Sequence, residues 1–203
     1  MYTGKKEEVP VPMTEPYAAD ARELGARMLE DARSVFRSQK KLGDRALAQA
    51  GEEALFAVPA PESNSIAVIV RHLSGNMKSR WTDFLTTDGE KPWRDRDGEF
   101  ELPPETTAAE VIRWWEDGWR IVFETLDGLR PEDLLRTVTI RSEPHLVLQT
   151  IQRQLSHYGY HVGQIVQLAK ASRAASWQSL SIPRNESRAF NRRLGHEAGD
   201  AEK

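Results

Sequence analysis

The stretch Gln154 to Lys170, QLSHYGYHVGQIVQLAK, decides how this chain is read. Within it Leu155, Tyr158, Val162, Ile165 and Ala169, preceded by Ile151, recur at three- and four-residue steps and form the apolar stripe of a helix that faces a core. His157 and His161 flank that stripe, His161 at its border and His157 a little further round. Side chains four apart on an α-helix stand one above the other, about 5–6 Å between Cβ atoms. Two imidazoles at that spacing can share one metal ion. The pair alone does not establish a site, because surface or hydrogen-bonded core histidines show the same spacing.

Upstream, Asn64 to Leu85 reads as a second such helix, with Ser63 or Asn64 as its cap and Ile66, Ile69, Val70, Leu73, Met77, Trp81 and Phe84 inward. Along one flank run His72, Asn76, Arg80 and Asp83. His72 stands in the same angular relation to its stripe as His157 does to its own, so antiparallel neighbours in a bundle can aim all three histidines at one point. The bland alternative is an exposed polar face with an Arg80–Asp83 pair that contributes little. Arg80, however, falls near the apolar centre of the wheel, and arginine is seldom buried without a partner.

The remaining helices follow from the same periodicity. A first helix is expected from Tyr17 to Lys41, with Leu24, Met28, Val35, Phe36 and Leu42 inward, ended by Gly43 and followed by a short helical segment before Pro59 and Pro61. Thr107 and Glu110 form a capping-box pattern opening a third helix that carries Val111, Trp114, Trp115, Trp119, Val122 and Leu126 and stops at Asp127-Gly128. Tryptophans at this spacing read as core rather than as a stacking platform for bases. Between the second and third helices, residues 86–106 form a long polar loop held to the body by Trp93 and Phe100. Its Asp95-Arg-Asp97-Gly98-Glu99 run lacks the ligand positions of an EF-hand. After a turn at Pro131, Thr137–Arg141 alternates like an edge strand, and Glu143-Pro144 leads into the fourth helix, Leu146 to Ala171. The expected organisation is therefore all-α: an extended arm over residues 1–16, a four-helix bundle over 17–177 with a short extended segment before its last helix, and a polar tail over 178–203 with a short helix near Glu186 to Arg193.

Composition bounds the function. A chain of 203 residues, 39% hydrophobic and 29% charged, suits one globular domain. A net charge of −3 supplies no global basic field, so no nucleic-acid partner is expected. Absence of cysteine excludes disulfides, thiolate metal sites and a cysteine nucleophile, and agrees with a cytoplasmic location. No apolar run approaches the ~20 residues of a membrane span, and the N-terminal residues lack the apolar core of a signal peptide.

The segments NSIAVIVRHLSGNMKSRWTDFL, DGEKPWRDRDGEF, TVTIR, RQLSHYGYHVGQIV and LSIPRNES together resemble the DUF1572 branch of the DinB/YfiT-like metalloenzyme superfamily, over about residues 20–191. The resemblance implies a DinB-type four-helix bundle, often a homodimer, with one divalent metal held by His72, His157 and His161. Characterised members of that superfamily include enzymes that activate a low-molecular-weight thiol for transfer to, or isomerisation of, a small electrophile; this branch carries no established reaction. Three imidazoles leave a coordination position for water or substrate, and zinc, nickel or iron all suit such ligands. Asn76, Arg80 and Gln154 are expected beside the ligands, orienting them or holding an anionic small-molecule substrate. No carboxylate is evident at a matching inward position, which favours an open site. His145, in a turn, and His196, in the tail, are read as bystanders. The competing reading is a non-catalytic protein in which the metal stabilises the bundle or reports metal supply. Six tryptophans, more than one core of this size needs, agree with the dimer.

Overall fold

Helix α1 (Glu15–Ala50) runs through Gly43 instead of ending there. Glycine is required at this point because a Cβ would collide with the indole of Trp115, so the residue marks a close helix approach and not a break. The buried face of α1 is Leu29, Ala32, Phe36, Ala46 and Leu47. Of the residues expected inward, Leu24 is 62% exposed and Val35 and Leu42 also face outward. The seam uses alanines, which a reading weighted toward large apolar side chains passes over. The computed structural model describes residues 15–173 and 176–195. Most of the expected N-terminal arm, the last part of the tail and His196 lie outside the described residues.

After Gly51, at φ 79°, the single-turn α2 (Glu52–Phe56) buries Leu55. Helix α3 (Ile66–Trp81) starts at Ser65, whose hydroxyl accepts the Val68 N–H at 3.3 Å, a residue or two later than Ser63 or Asn64 suggested. It ends at Trp81 rather than Leu85, and Asp83 follows with φ 48°. Its expected apolar face is buried throughout. Helix α4 (Ala108–Gly128) opens with the Thr107–Glu110 capping box, as the sequence indicates. At its other end Arg33 of α1 donates to the Leu126 and Leu129 carbonyls, satisfying acceptors that a helix C-terminus leaves open.

Strands β1 (Thr137–Ile140) and β2 (Glu143–Leu146) pair antiparallel, with Ile140 opposite Glu143. The protein is therefore mainly helical with a small two-stranded sheet, not purely α-helical. The second strand was hidden because its turn, Arg141-Ser142, contains no glycine or asparagine although both residues have positive φ, 55° and 64°. The Asp88 carboxylate takes up both strained peptides, accepting the Arg141 N–H at 2.9 Å and the Ser142 N–H at 2.8 Å. Helix α5 (Val147–Arg173) follows directly, and α6 (Ser187–Arg193) lies in the tail.

α1 packs along α5 and α3 along α4, with α3 also reaching α5. Their buried side chains form one continuous cluster. At its middle the Phe36 ring meets Trp81 edge-on at 6.0 Å, Trp119 meets Tyr158 edge-on at 5.7 Å, and Trp81 Nε1 donates to the Tyr158 hydroxyl at 2.9 Å. Trp81, Trp115 and Trp119 are core residues and Trp114 and Trp177 pack against the core, so these five tryptophans serve the chain's own interior; Trp93 alone stands out, 59% exposed. The segment after α5 is tied back to α1: Arg45 donates to the Leu180 carbonyl at 2.6 Å, and Gln49 exchanges hydrogen bonds with the Gln178 backbone. Among the described residues no helix is long and apolar enough to cross a membrane.

Candidate metal centre

Helices α3 and α5 bring His72, His157 and His161 together, with a potential ligand atom from each lying within 4.8 Å of the others. His157 and His161, one turn apart on α5, place their Nε2 atoms 3.1 Å apart. The His72 ring meets both nearly edge-on, at centroid distances of 5.5 and 5.1 Å. Among the described residues this is the group of side chains able to hold a metal ion.

Each of two rings is fixed through its other nitrogen. His72 Nδ1 lies 2.8 Å from Glu99 Oε2, and both are buried. A carboxylate only accepts, so Nδ1 carries a proton and Nε2 is the nitrogen turned toward the α5 pair. His161 Nδ1 lies 2.8 Å from Gln164 Oε1, an amide oxygen whose partner nitrogen donates to Tyr160, which assigns the same tautomer to His161. Burial, reinforced by the neighbouring imidazoles and by Arg80 and Arg94, lowers His157 to about 3; burial likewise lowers His161. Neutral imidazoles with free Nε2 lone pairs pointing at one another repel unless a cation or a proton lies between them. The donor set therefore fits a transition metal bound by three nitrogens.

Glu99, part of the DGEKPWRDRDGEF segment and of the run that lacks the EF-hand ligand positions, carries no role in the sequence reading. It is an inward carboxylate, contrary to expectation, but it touches the far nitrogen of His72 and not the nitrogen that faces the other histidines. Arg94 grips it bidentately, Nε to Oε1 at 2.7 Å and Nη2 to Oε2 at 2.9 Å. Burial opposes its charge, yet the hydrogen bonds from His72 and Arg94 hold Glu99 below the ordinary carboxylate range. Gly75, one turn along α3 from His72, leaves room for this carboxylate, which a Cβ there would strike. Phe100 stacks on His72 at 4.9 Å and 29°. Phe100 thus secures the loop as expected, whereas Trp93 does not; the other fixings are polar, with Ser79 Oγ donating to the Gly89 carbonyl and accepting the Lys91 N–H. A sequence signal for Glu99 existed only as an acidic side chain in a glycine-marked loop, 27 positions from its partner.

Asn76 and Gln154 also meet at the site, bonded to each other and not to the histidines: Gln154 Nε2 donates to Asn76 Oδ1 at 2.8 Å, and the Tyr158 hydroxyl donates to the same oxygen at 3.1 Å. All three are buried. Burial raises Tyr158, so its hydroxyl keeps its proton. Arg80 is only 4% exposed and reaches Glu90 at 3.9 Å, not Asp83. His72, Asn76, Arg80, Gln154 and His157 line one side of a cavity of about 240 Å³. A second cavity, about 540 Å³, is lined by Tyr160 and Gln164 together with residues of the loop before α3, and by none of the three histidines. His145 lies in β2, its Nε2 4.0 Å from Glu143, rather than in a turn.

No curated protein matches the chain. A family described as "Protein of unknown function (DUF1572)" matches residues 23–186, from the first third of α1 past the end of α5 and so across every residue of the histidine cluster. The chain belongs to the DUF1572 family.

Proposed function

We propose that this protein is a divalent-metal-dependent enzyme of the DinB/YfiT-like superfamily, a four-helix bundle assembled as a homodimer, acting on a small molecule. The observation that carries the reading is the convergence of His72, His157 and His161 from two helices, with Glu99 and Gln164 fixing the tautomers of two of them. In this reading His72, His157 and His161 hold one zinc, nickel or iron ion. Such an ion, when bound, makes water or a small thiol nucleophilic near neutral pH. Glu99 keeps His72 turned toward the α5 pair, and Arg94 keeps Glu99 ionised for that task. Asn76 and Gln154 line the cavity with amide groups, and the buried Tyr158 hydroxyl behind them fixes the Asn76 and Gln154 side chains in place.

A cavity bordered directly by His72 and His157 favours an exchangeable site over one closed by a fourth protein ligand. The test is to strip the protein with a chelator and reload it separately with zinc, nickel or ferrous iron. Each form is then assayed for hydrolysis of an activated ester and for coupling of a low-molecular-weight thiol to an electrophile. Turnover restored by at least one metal in wild type, and absent from His157→Ala, is the expected result. Stoichiometric metal without turnover in any arm would leave a non-catalytic metal protein.

A further inference from the structure

The cavity beside the histidines is lined on its other sides by arginine. Arg80 comes from α3, Arg94 and Arg96 from the loop, Arg141 from the hairpin turn and Arg153 from α5. Five guanidiniums from four separate parts of the fold converge on about 240 Å³. The Arg80 and Arg94 side chains are buried there, while Arg96, Arg141 and Arg153 reach the cavity from half-exposed or exposed positions, so the pocket carries positive charge from its floor to its rim. The carboxylates that reach them do so incompletely. Glu90 is shared among three, at 3.9 Å from Arg80, 3.3 Å from Arg94 and 3.4 Å from Arg141. Glu99 is committed to Arg94 and His72. Arg96 pairs with the almost fully exposed Asp97 at 3.6 Å and lies over the Phe100 ring at 5.4 Å, and Arg153 makes no ion pair among the described residues. Arg80 is 4% exposed, and its Nε and Nη1 find no hydrogen-bond partner among the described residues. A buried guanidinium with idle donors is costly in a protein that gains nothing from it.

Arg141 occupies a left-handed conformation, φ 55°, that arginine rarely adopts, and the Asp88 carboxylate is spent on holding that turn. The two-residue hairpin turn sets this angle, as it does that of Ser142, and the turn brings the Arg141 side chain to the cavity. Arg153 precedes His157, which precedes His161, by one helical turn each, so α5 presents a cation and two metal-binding nitrogens in one row.

We propose that this cavity binds a dianionic end of the substrate, a phosphate or a paired carboxylate, holding it by arginine forks while the reacting atom lies at the histidine cluster. This deepens the metal-enzyme reading by naming the substrate class for the same site, and it rests on that reading for the reaction but not for the binding. The cavity is too small for a whole metabolite and suits a charged head group. Guanidinium forks match carboxylate and phosphate oxygens bidentately, which a lysine cannot do.

The experiment is isothermal titration calorimetry of the full chain with inorganic phosphate and, separately, with succinate. Each is run on chelator-stripped and metal-loaded protein, with metal content measured on the same samples. Wild type binds at least one of the two at a single site per chain, and Arg153→Ala and Arg141→Ala each weaken it by about tenfold or more. Arg153→Lys weakens it as well, because a point charge replaces a fork. His157→Ala loses metal but still binds the anion. Binding of phosphate alone assigns a phosphate-bearing substrate, and binding of succinate alone a carboxylate-bearing one. No binding by well-folded wild type at millimolar anion, or affinity unchanged in both Arg→Ala variants, overturns the proposal. Anion binding in a protein that takes up no metal would retain this subsite and remove the metalloenzyme reading; metal uptake without anion binding would do the reverse.

Discussion

Rotating His72 about its Cβ–Cγ bond would break the 2.8 Å hydrogen bond to Glu99 and unstack the ring from Phe100, so its Nε2 is held toward the α5 histidines before any metal arrives. Glu99→Gln keeps the shape but removes the charge that fixes the tautomer and partners Arg94. Metal affinity should fall about 10- to 100-fold, read by competition with a coloured chelator, and the metal-free protein should also melt lower because the buried Arg94 loses its bidentate partner. Equal affinity in the two proteins would mean that Glu99 serves the loop and not the metal centre. Asp88 acts at the same scale on the arginine side. Burial disfavours its charge, but the backbone N–H groups of Glu90, Ser142 and Arg141 outweigh that and hold its carboxyl down to about 2. With the folded value depressed below the unfolded one, its contribution is present in full above about pH 4 and is lost as the pH falls toward about 2. Asp88→Ala should cost about 1–2 kcal/mol at neutral pH and flatten the acid limb of a urea-stability profile. A parallel profile merely shifted downward would contradict that assignment. Neither Glu99 nor Asp88 was legible as a site residue in the sequence. Each is one acid among many in polar loops, and its meaning comes from partners that only the tertiary fold supplies.

At the scale of elements, what the sequence disclosed was periodic and what it concealed was local exception. The long helices, the capping box and the three histidines could be read because their spacing follows the helix itself. The hairpin could not, since Arg141-Ser142 carries none of the residues that ordinarily signal two positive φ angles in succession. Gly43 misled for the complementary reason: a glycine in a helix usually weakens it, and here it is tolerated to admit Trp115. The two effects compete quantitatively in Gly43→Ala. Helix propensity alone favours alanine by about 1 kcal/mol. Overpacking against a buried indole, whose Nε1 is also anchored to Asp44 at 2.7 Å, opposes it by about 1–3 kcal/mol. The variant should therefore be destabilised by about 1 kcal/mol in chemical denaturation. A stabilised variant would show that α1 and α4 can separate at this point without loss.

Across the whole molecule, the histidine cluster joins helices that the hydrophobic core already holds. Phe36, Trp81, Trp119 and Tyr158 pack the interior, and the Trp81–Tyr158 hydrogen bond ties α3 to α5 one layer from the histidines. The site is thus placed by the core rather than built by the metal, so loading should stabilise a structure that already exists, by an amount set by metal concentration over the dissociation constant. The measurement that tests this account most directly is elemental analysis of protein purified without an affinity tag, comparing wild type with His72→Ala and His157→Ala, each checked for a native melting transition. About one equivalent of a transition metal in wild type, lost in both folded variants, is the predicted result. Absent metal in wild type after incubation with zinc, nickel and ferrous iron, or metal retained in both variants, would contradict it.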